Sequence, residues 1–231
     1  MKEILKVKSL FVELNKEKII ENLSFKVEAG EILTILGPNG SGKTVLLKTL
    51  LGLMPYQKGE IIWKDNIKIG YLPQGLTPMK IRNLPLSVKD FFNLKQKNEK
   101  ETTKALELVE IDTQILKKQL GDLSSGQFQR ILFAWVLINH PNVLVFDEPT
   151  TGIDIGGEKT IYSLLYRFWK EKQTTIILVT HDLNVVYKYS TNVLCLHKGS
   201  LCCYGKPHQI LTPQSLEKLY GTEIKFYKHT H

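Results

Sequence analysis

The chain has 231 residues, of which 42% are hydrophobic, and a formal net charge of +8. This size and composition predict one globular domain with a substantial core and room for an inserted subdomain. The longest fully apolar run covers residues 131–138, well below the roughly 20 residues of a membrane-spanning helix, and residues 1–6 lack the apolar core of a signal peptide, so we expect a cytoplasmic protein.

The first third of the chain is rich in predicted strands. Short apolar or alternating runs predict strands at residues 4–7, 11–14, 23–27, 32–36, 59–63 and 68–72, and helix-forming side chains follow the fourth of these at residues 45–51. Two of the later runs end directly at glycine or proline, which indicates turns.

Helices dominate from residue 77 onward. Ser87 is a predicted N-cap for residues 88–94, and the charged run 95–104 is typical of a solvated turn and helix face. Further helices are predicted at residues 105–109, 128–139 and 157–172, and buried strands at residues 143–146 and 175–179. Apolar strands that alternate with helices favour a largely parallel sheet covered on both faces.

Three cysteines, Cys195, Cys202 and Cys203, lie near the end of the chain without Cys-x-x-Cys spacing. Adjacent cysteines rarely pair with each other, because the geometry of such a disulfide is strained. We therefore expect reduced thiols in a buried strand region.

A glycine-rich stretch at residues 37–44 fits the pattern Gly, four residues, Gly-Lys-Ser/Thr, which marks a phosphate-binding loop between a strand and a helix. Backbone N–H groups and the positive end of the helix bind phosphate there. Lys43 adds a charge for the β- and γ-phosphates, and the Thr44 hydroxyl is placed to bind Mg²⁺. The predicted nucleotide-binding residues are Gly37, Pro38, Asn39, Gly40, Ser41, Gly42, Lys43 and Thr44.

Four polar side chains follow predicted strands, at the sheet edge where open α/β sheets bind ligands. Asp147 follows residues 143–146 and is expected to orient Mg²⁺, while Glu148 polarises a water for attack on the γ-phosphorus. Gln74 is predicted to offer an oxygen to Mg²⁺ or to that water. His181 is predicted to hydrogen-bond the γ-phosphate or the attacking water.

A second predicted anion site lies at Leu123-Ser124-Ser125-Gly126-Gln127. Small residues with a hydroxyl open a helix there, and its N–H groups and dipole attract anions. Alone, this pattern is also that of an ordinary serine N-cap.

The order of these motifs decides between the two interpretations. Together with Thr151-Gly152-Ile153-Asp154, they make the chain resemble the ATP-binding subunits of ABC transporters. The resemblance implies an α/β fold: a RecA-like P-loop NTPase core at about residues 1–77 and 141–231, with an antiparallel β edge subdomain. It also implies an inserted α-helical subdomain at about residues 78–140.

The resemblance further implies an ATPase that forms a head-to-tail homodimer when ATP is bound. Ser124, Ser125, Gly126 and Gln127 of one subunit would cap the ATP held at Lys43 of the other, and Asp154 would couple the two sites. Two integral-membrane permease subunits would hold the dimer at the cytoplasmic face of the membrane. An extracytoplasmic metal-binding protein would be an indirect partner.

Several weaker features are similar to the zinc- and manganese-uptake branch of that family. They are the compact link between residues 59 and 74 and the stretches 69–74, 84–88 and 193–196. They imply a divalent transition metal (zinc, manganese or iron) as cargo. The chain departs from the family pattern with Ser125 in place of glycine and with Leu14 where an aromatic residue usually stacks on adenine, so adenine is expected to rest on an aliphatic surface with help from Phe11.

Other functions fit the pattern less well. An ABC transporter ATPase for a different cargo stays open, because cargo choice lies in other proteins. A soluble ABC ATPase acting on DNA or ribosomes is disfavoured, since the chain has no long coiled-coil insertion or second cassette. A GTP-binding switch lacks its Asn-Lys-x-Asp motif, and scattered lysines argue against a nucleic-acid partner.

Overall fold

The computed structural model describes residues 2–77, 80, 84–150 and 155–221. Its strands are β1 (Glu3–Leu14), β2 (Glu17–Glu28), β3 (Ile32–Leu36), β4 (Lys58–Trp63), β5 (Ile69–Leu72), β6 (Val143–Asp147), β7 (Thr175–Val179), β8 (Asn192–His197) and β9 (Ser200–Gly205). Its helices are α1 (Lys43–Leu50), α2 (Val88–Asn93), α3 (Glu99–Leu108), α4 (Ser125–Leu137), α5 (Ile155–Lys172), α6 (Leu183–Tyr189), α7 (Pro207–Ile210) and α8 (Pro213–Tyr220). Among these described helices, none is both long enough and apolar enough to span a bilayer.

The described residues form two compact units. The first comprises residues 2–66 and 176–221, and the second comprises the described residues between 67 and 175. The proposed division into a core and a helical subdomain at residues 78–140 stays a prediction.

The first unit contains two sheets. One is antiparallel, with the strand order β2-β1-β4. In the other, β3 lies between β7 and β8 and runs parallel to both, and β9 pairs antiparallel with β8. Every residue of β3 and of β7 is buried, which is the pattern of parallel strands covered on both faces.

The first strand is longer than its sequence indicates. Two separate strands at residues 4–7 and 11–14 are predicted, but β1 is continuous over 12 residues. Ser9 has φ of 44°, and the pairing with β2 shifts register between Val7 and Leu10. This bulge interrupts the alternation of apolar and polar side chains along β1, but it does not end the strand.

The expectation of three reduced thiols is wrong in this structure. Cys195 of β8 lies opposite Cys203 of the antiparallel strand β9, and the two form a disulfide, while Cys202 is free. Directly opposed residues of an antiparallel pair are close enough to bridge, and their Cα atoms are 5.0 Å apart. The linear spacing of the cysteines does not reveal this register.

The second unit pairs two parallel strands, β5 and β6, and packs helices beside them. Helix α4 begins at Ser125, three residues before its predicted start, and its residues Phe128, Ile131 and Leu132 are buried. The stacked rings of Phe91 and Trp135, 5.1 Å apart, join α2 to α4. These contacts give the helices of this unit their own apolar core.

Candidate active site

The predicted phosphate loop connects β3 to α1 and lies wholly within the first unit. Gly42, the N-cap of α1, has φ of 97°, a left-handed conformation that favours glycine. A side chain at Gly37 would collide with the main-chain oxygen of Leu196 in β8. Helix α1 has no acidic residue in its first turn, so nothing there offsets the positive end of its dipole.

Lys43 is held inside this loop. It is 6% exposed, and its Nζ donates to the main-chain oxygens of Gly37 at 2.8 Å and Pro38 at 2.9 Å. Ser41 Oγ is also buried, with no hydrogen-bond partner among the described residues. A phosphate oxygen is a stronger acceptor than a carbonyl because it is charged, so the loop presents a cation and a hydroxyl to which such a group can bind.

His181 lies at the same sheet edge as the phosphate loop. Strands β3 and β7 run parallel with Ile35 opposite Val179, and Gly37 and His181 each come two residues after this pair. The carboxyl ends of neighbouring parallel strands thus bring the loop entrance and His181 to one edge, where His181 is exposed.

A second pair of predicted site residues meets in the second unit. Leu72 of β5 lies opposite Phe146 of β6, and Gln74 and Glu148 each come two residues later. Nε2 of Gln74 donates to Oε2 of Glu148 at 3.0 Å. Sequence reasoning gave both residues catalytic roles without predicting their contact, which the parallel register of the two strands explains.

The adjacent carboxylates, Asp147 and Glu148, occupy different environments. Asp147 ends β6 and is 1% exposed. Glu148 has φ of 49°, a left-handed conformation that is uncommon for a non-glycine residue. Such strained backbone is found most often at functional sites. The turn therefore buries one carboxylate at the strand end and presents the other to Gln74.

Tyr71 of β5 is a residue of this region that sequence reasoning did not select. Its hydroxyl is buried and has no hydrogen-bond partner within the described parts of the chain. Burial raises the pKa of Tyr71 to about 12, with a further contribution from the negative charge of Asp147. The side chain is therefore a neutral phenol in the electrostatic field of that carboxylate.

The predicted second anion site forms the start of α4. Ser124 Oγ accepts a hydrogen bond from the backbone N–H of Gln127, and Gln127 Oε1 accepts one from the backbone N–H of Ser124, each at 3.2 Å. A side chain added at Gly126 would meet no atom within 4 Å, so this helix start is open on that side. Asp154, predicted to couple two subunits, lies outside the described residues.

An apolar groove of about 430 Å³ lies next to Gln74 in the second unit. We call it the helical groove. Two of its leucines are strongly exposed: Leu84 at 54% and Leu94 at 71%. It is lined by Tyr71, Leu72, Pro73, Leu76, Leu84, Leu86, Phe91, Leu94, Leu120, Phe128, Leu132 and Trp135.

A family model described as ABC transporter matches residues 20–151, more than half of the chain. The chain belongs to the ABC transporter family. The matched range contains the phosphate loop, Gln74, the start of α4 and both carboxylates, while His181 lies beyond it. Family membership confirms the resemblance that the motifs indicate.

Individual ABC proteins match over nearly the whole chain. A zinc import ATP-binding protein ZnuC of Wigglesworthia glossinidia brevipalpis is 38% identical and is covered completely, as is this chain. The protein of the same name from Buchnera aphidicola subsp. Schizaphis graminum is 36% identical, with 100% of this chain and 98% of that protein covered. The structure of cbiO1 from Clostridium perfringens, part of the ABC transporter complex cbiONQ, superimposes with a TM-score of 0.79 at 29% identity, over 94% of each chain. The predicted α/β ABC ATPase fold is confirmed.

Proposed function

We propose that this chain is the ATP-hydrolysing subunit of an ABC importer for a divalent transition metal, with zinc as the first candidate and manganese or iron next. The observation that carries the proposal is the Gln74–Glu148 hydrogen bond beside Asp147 at the ends of β5 and β6. It supports a hydrolytic role, because a positioned carboxylate can act as a general base. Zinc is favoured because full-length relatives carry the name zinc import ATP-binding protein.

In the proposed reaction the phosphate loop binds the triphosphate through its N–H groups and Lys43. Glu148 accepts a proton from the attacking water, and His181 donates a hydrogen bond to the γ-phosphate. The strained backbone of Glu148 and the hydrogen bond from Gln74 both restrict where the carboxylate points. A base held in one place loses less entropy when the reaction begins.

Mg²⁺ fits the donor atoms that the motifs supply. Thr44, Gln74 and Asp147 offer a hydroxyl, an amide and a carboxylate oxygen, the ligands that this hard cation prefers. The amide nitrogen of Gln74 donates a hydrogen bond to Glu148, which leaves the amide oxygen to bind a cation. When bound, Mg²⁺ neutralises charge on the β- and γ-phosphate oxygens.

The open start of α4 supports a homodimer in the ATP-bound state. Residues 124–127 have N–H groups and a hydroxyl suited to an anion, yet the chain already has its own phosphate loop in the first unit. We assign this second anion site to the γ-phosphate of ATP held by a second copy of the chain. ATP would then join the two copies, and hydrolysis would release them.

The helical groove supports a contact with membrane-embedded permease subunits. Its apolar lining and exposed leucines suit a short amphipathic helix laid into a groove. Leu72, Pro73 and Leu76 of the groove flank Gln74, so a helix seated there would sit beside the Gln74–Glu148 contact. Each copy of the chain would take one permease helix and be held peripherally at the cytoplasmic membrane face, and an extracytoplasmic metal-binding protein would deliver the cargo to the permease.

Transport by the reconstituted complex tests this function. The chain is placed in vesicles with the permease subunits that co-purify with it, and ATP-driven uptake of Zn²⁺, Mn²⁺ and Fe²⁺ is measured separately. We expect uptake of at least one of these metals, with Zn²⁺ taken up at the lowest concentration. Robust ATP hydrolysis without uptake of any of the three would reject the metal cargo and favour the alternative ABC cargo.

A lysine pair on α1 provides the matched control. Lys43→Ala should abolish nucleotide binding and uptake together, because it removes the buried ammonium group from the loop. Lys48→Ala removes the same charge five residues further along α1 and should leave both unchanged. Unaltered ATP affinity in Lys43→Ala would contradict the role given to the loop.

A further inference from the structure

The hairpin of β8 and β9 contains all three cysteines of the chain. Cys195 lies opposite Cys203. The next pair towards the turn is Leu196 with Leu201, which leaves Cys202 as the extra residue of a β-bulge. A bulge changes the direction of side chains along its strand, and both Cys202 and Cys203 pack against the buried cluster that contains Cys195.

The turn of this hairpin contacts the phosphate loop. Lys198 and Gly199 both have positive φ, 46° and 77°, as in tight two-residue hairpin turns. The N–H of Gly199 donates to the main-chain oxygen of Ser41 in the phosphate loop at 3.3 Å. The main-chain oxygen of Gly199 accepts a hydrogen bond from the N–H of Glu21 in β2 at 2.9 Å. The turn is therefore held between β2 and the phosphate loop.

Strand β8 also contacts the start of the phosphate loop, next to the disulfide. Cys195 lies opposite Leu36, the last residue before Gly37. The main-chain oxygen of Leu196 lies so close to Gly37 that a side chain there would collide with it. The hairpin thus supports the loop at Gly37 and again at Ser41.

The disulfide lies on the far side of the bulge from the turn. A bulge disrupts the hydrogen-bonded ladder locally, so the ladder alone restricts the register of the two strands less firmly there. The bond between Cys195 and Cys203 fixes this register. When it is reduced, the turn and its contacts with the phosphate loop become less restricted.

The disulfide is accessible to small thiols from one side. Cys195 is 0% exposed, whereas Cys203 is partly exposed. A small thiolate that attacks the sulfur of Cys203 forms a mixed disulfide there and releases Cys195 as a thiolate, which takes up a proton. A second thiolate then releases Cys203 and forms the small-molecule disulfide. The protein gains two electrons and two protons, and two small thiols are oxidised.

We propose that Cys195 and Cys203 form a reversible redox site for a low-molecular-weight thiol and its disulfide, and that oxidation of this site strengthens nucleotide binding by fixing the phosphate loop. The inference rests on the nucleotide-binding role proposed for that loop. A loop already held in its binding conformation loses less entropy when its ligand binds. The proposed location at the cytoplasmic face favours a reversible bond, because disulfides in reducing compartments are usually transient.

Nucleotide affinity in glutathione buffers tests the assignment on the full-length chain. A non-hydrolysable ATP analogue is titrated by calorimetry at several ratios of reduced to oxidised glutathione, and thiol labelling with mass spectrometry gives the oxidised fraction. We expect the affinity to fall at least about fivefold as the bond is reduced, the lower end of typical coupling between two sites. A constant affinity while the bond opens overturns the proposal, as does a bond that stays closed, or stays open, at every ratio.

The same coupling must appear in the disulfide equilibrium, because linkage between two sites is reciprocal. Saturating ATP analogue should shift the equilibrium constant towards the oxidised form by the same factor. A cross-link that only stabilises the hairpin would not respond to nucleotide. An oxidation equilibrium that is identical with and without the analogue therefore contradicts the proposal.

Cys203→Ser and Cys202→Ser are the matched pair. The two residues are adjacent and partly exposed, but only Cys203 belongs to the disulfide. Cys203→Ser should show the affinity of the reduced wild type at every ratio, and Cys202→Ser should keep the wild-type response. A wild-type response in Cys203→Ser overturns the assignment.

Lys43→Ala separates this inference from the function on which it rests. If Lys43→Ala binds the analogue as tightly as the wild type, the nucleotide-binding role of the phosphate loop fails, and the redox inference fails with it. If Lys43→Ala loses binding while the glutathione ratio has no effect on the wild type, the loop keeps its role and the redox inference alone is overturned.

Discussion

Glu148 combines a left-handed backbone with a carboxylate that accepts a hydrogen bond from Gln74. In Glu148→Gln, the new amide keeps an oxygen that can still accept this bond, so the local geometry should survive while the base is lost. We expect ATP turnover to fall by about 10²- to 10⁴-fold, the usual contribution of a general base. Steady-state phosphate release and equilibrium ATP binding measure the two effects, and ATP affinity should stay near wild type.

Glu171→Gln is the control for this change. Glu171 is an exposed residue of α5, so the same loss of charge should leave turnover unchanged. Normal turnover in Glu148→Gln would contradict the general-base assignment of Glu148. His181, which lies at the sheet edge of the other unit, would then be the next candidate for the base.

Residue types and their order were sufficient to predict which side chains end the strands. They did not predict the bond between Gln74 and Glu148, because that contact depends on the register of β5 against β6, 74 positions apart in the chain. Tyr71 was not predicted as a residue of this region for the same reason. A tyrosine in an apolar strand is indistinguishable from a core residue until the register puts Asp147 ahead of it.

At the level of elements, the start of α4 allows stability and function to be separated. Ser124→Ala removes the acceptor of the N-cap bond and should cost about 1 kcal/mol of unfolding free energy. If Ser124 also binds the γ-phosphate held by a second copy, the variant should in addition lose ATP-driven dimerisation. Denaturant unfolding measures the first effect, and light scattering with ATP, in a Glu148→Gln background, measures the second.

Ser87→Ala provides the control, because Ser87 forms a capping box of the same type at the start of α2. It should reduce stability by a similar amount and leave ATP-driven dimerisation intact. Equal dimerisation by the two variants would confine Ser124 to capping and contradict its assignment to the γ-phosphate held by a second copy.

The predicted and observed bounds agree best for buried strands whose apolar run stops abruptly. β3 and β7 have the predicted bounds because apolar runs stop at glycine or polar residues. The sequence predicts two strands in place of β1, because the bulge at Ser9 interrupts the alternation of apolar and polar side chains. The Cys195–Cys203 disulfide was missed because opposition across β8 and β9 is a property of the hairpin, not of cysteine spacing.

On the scale of the whole molecule, sequence order does not show which segments cluster. Residues 69–72 and residues 143–146 both lie in the predicted core, on either side of the predicted helical subdomain, and they pair with each other in the second unit. That unit therefore contains its own strands together with the helices that form the helical groove. Whatever binds in the groove contacts the same unit that carries Gln74, Asp147 and Glu148.

Leu94→Glu tests whether the helical groove binds the permease. Leu94 is 71% exposed in the groove, so a charged side chain there should fold normally but oppose an apolar helix. We expect loss of co-purification with the permease and of metal uptake, while ATP hydrolysis by the isolated chain persists. Leu53→Glu changes a leucine that is 61% exposed in the first unit, outside the groove, and should retain all three activities. Intact co-purification of Leu94→Glu would place the permease contact elsewhere, because a buried carboxylate without a partner could not be accommodated at the centre of an apolar interface.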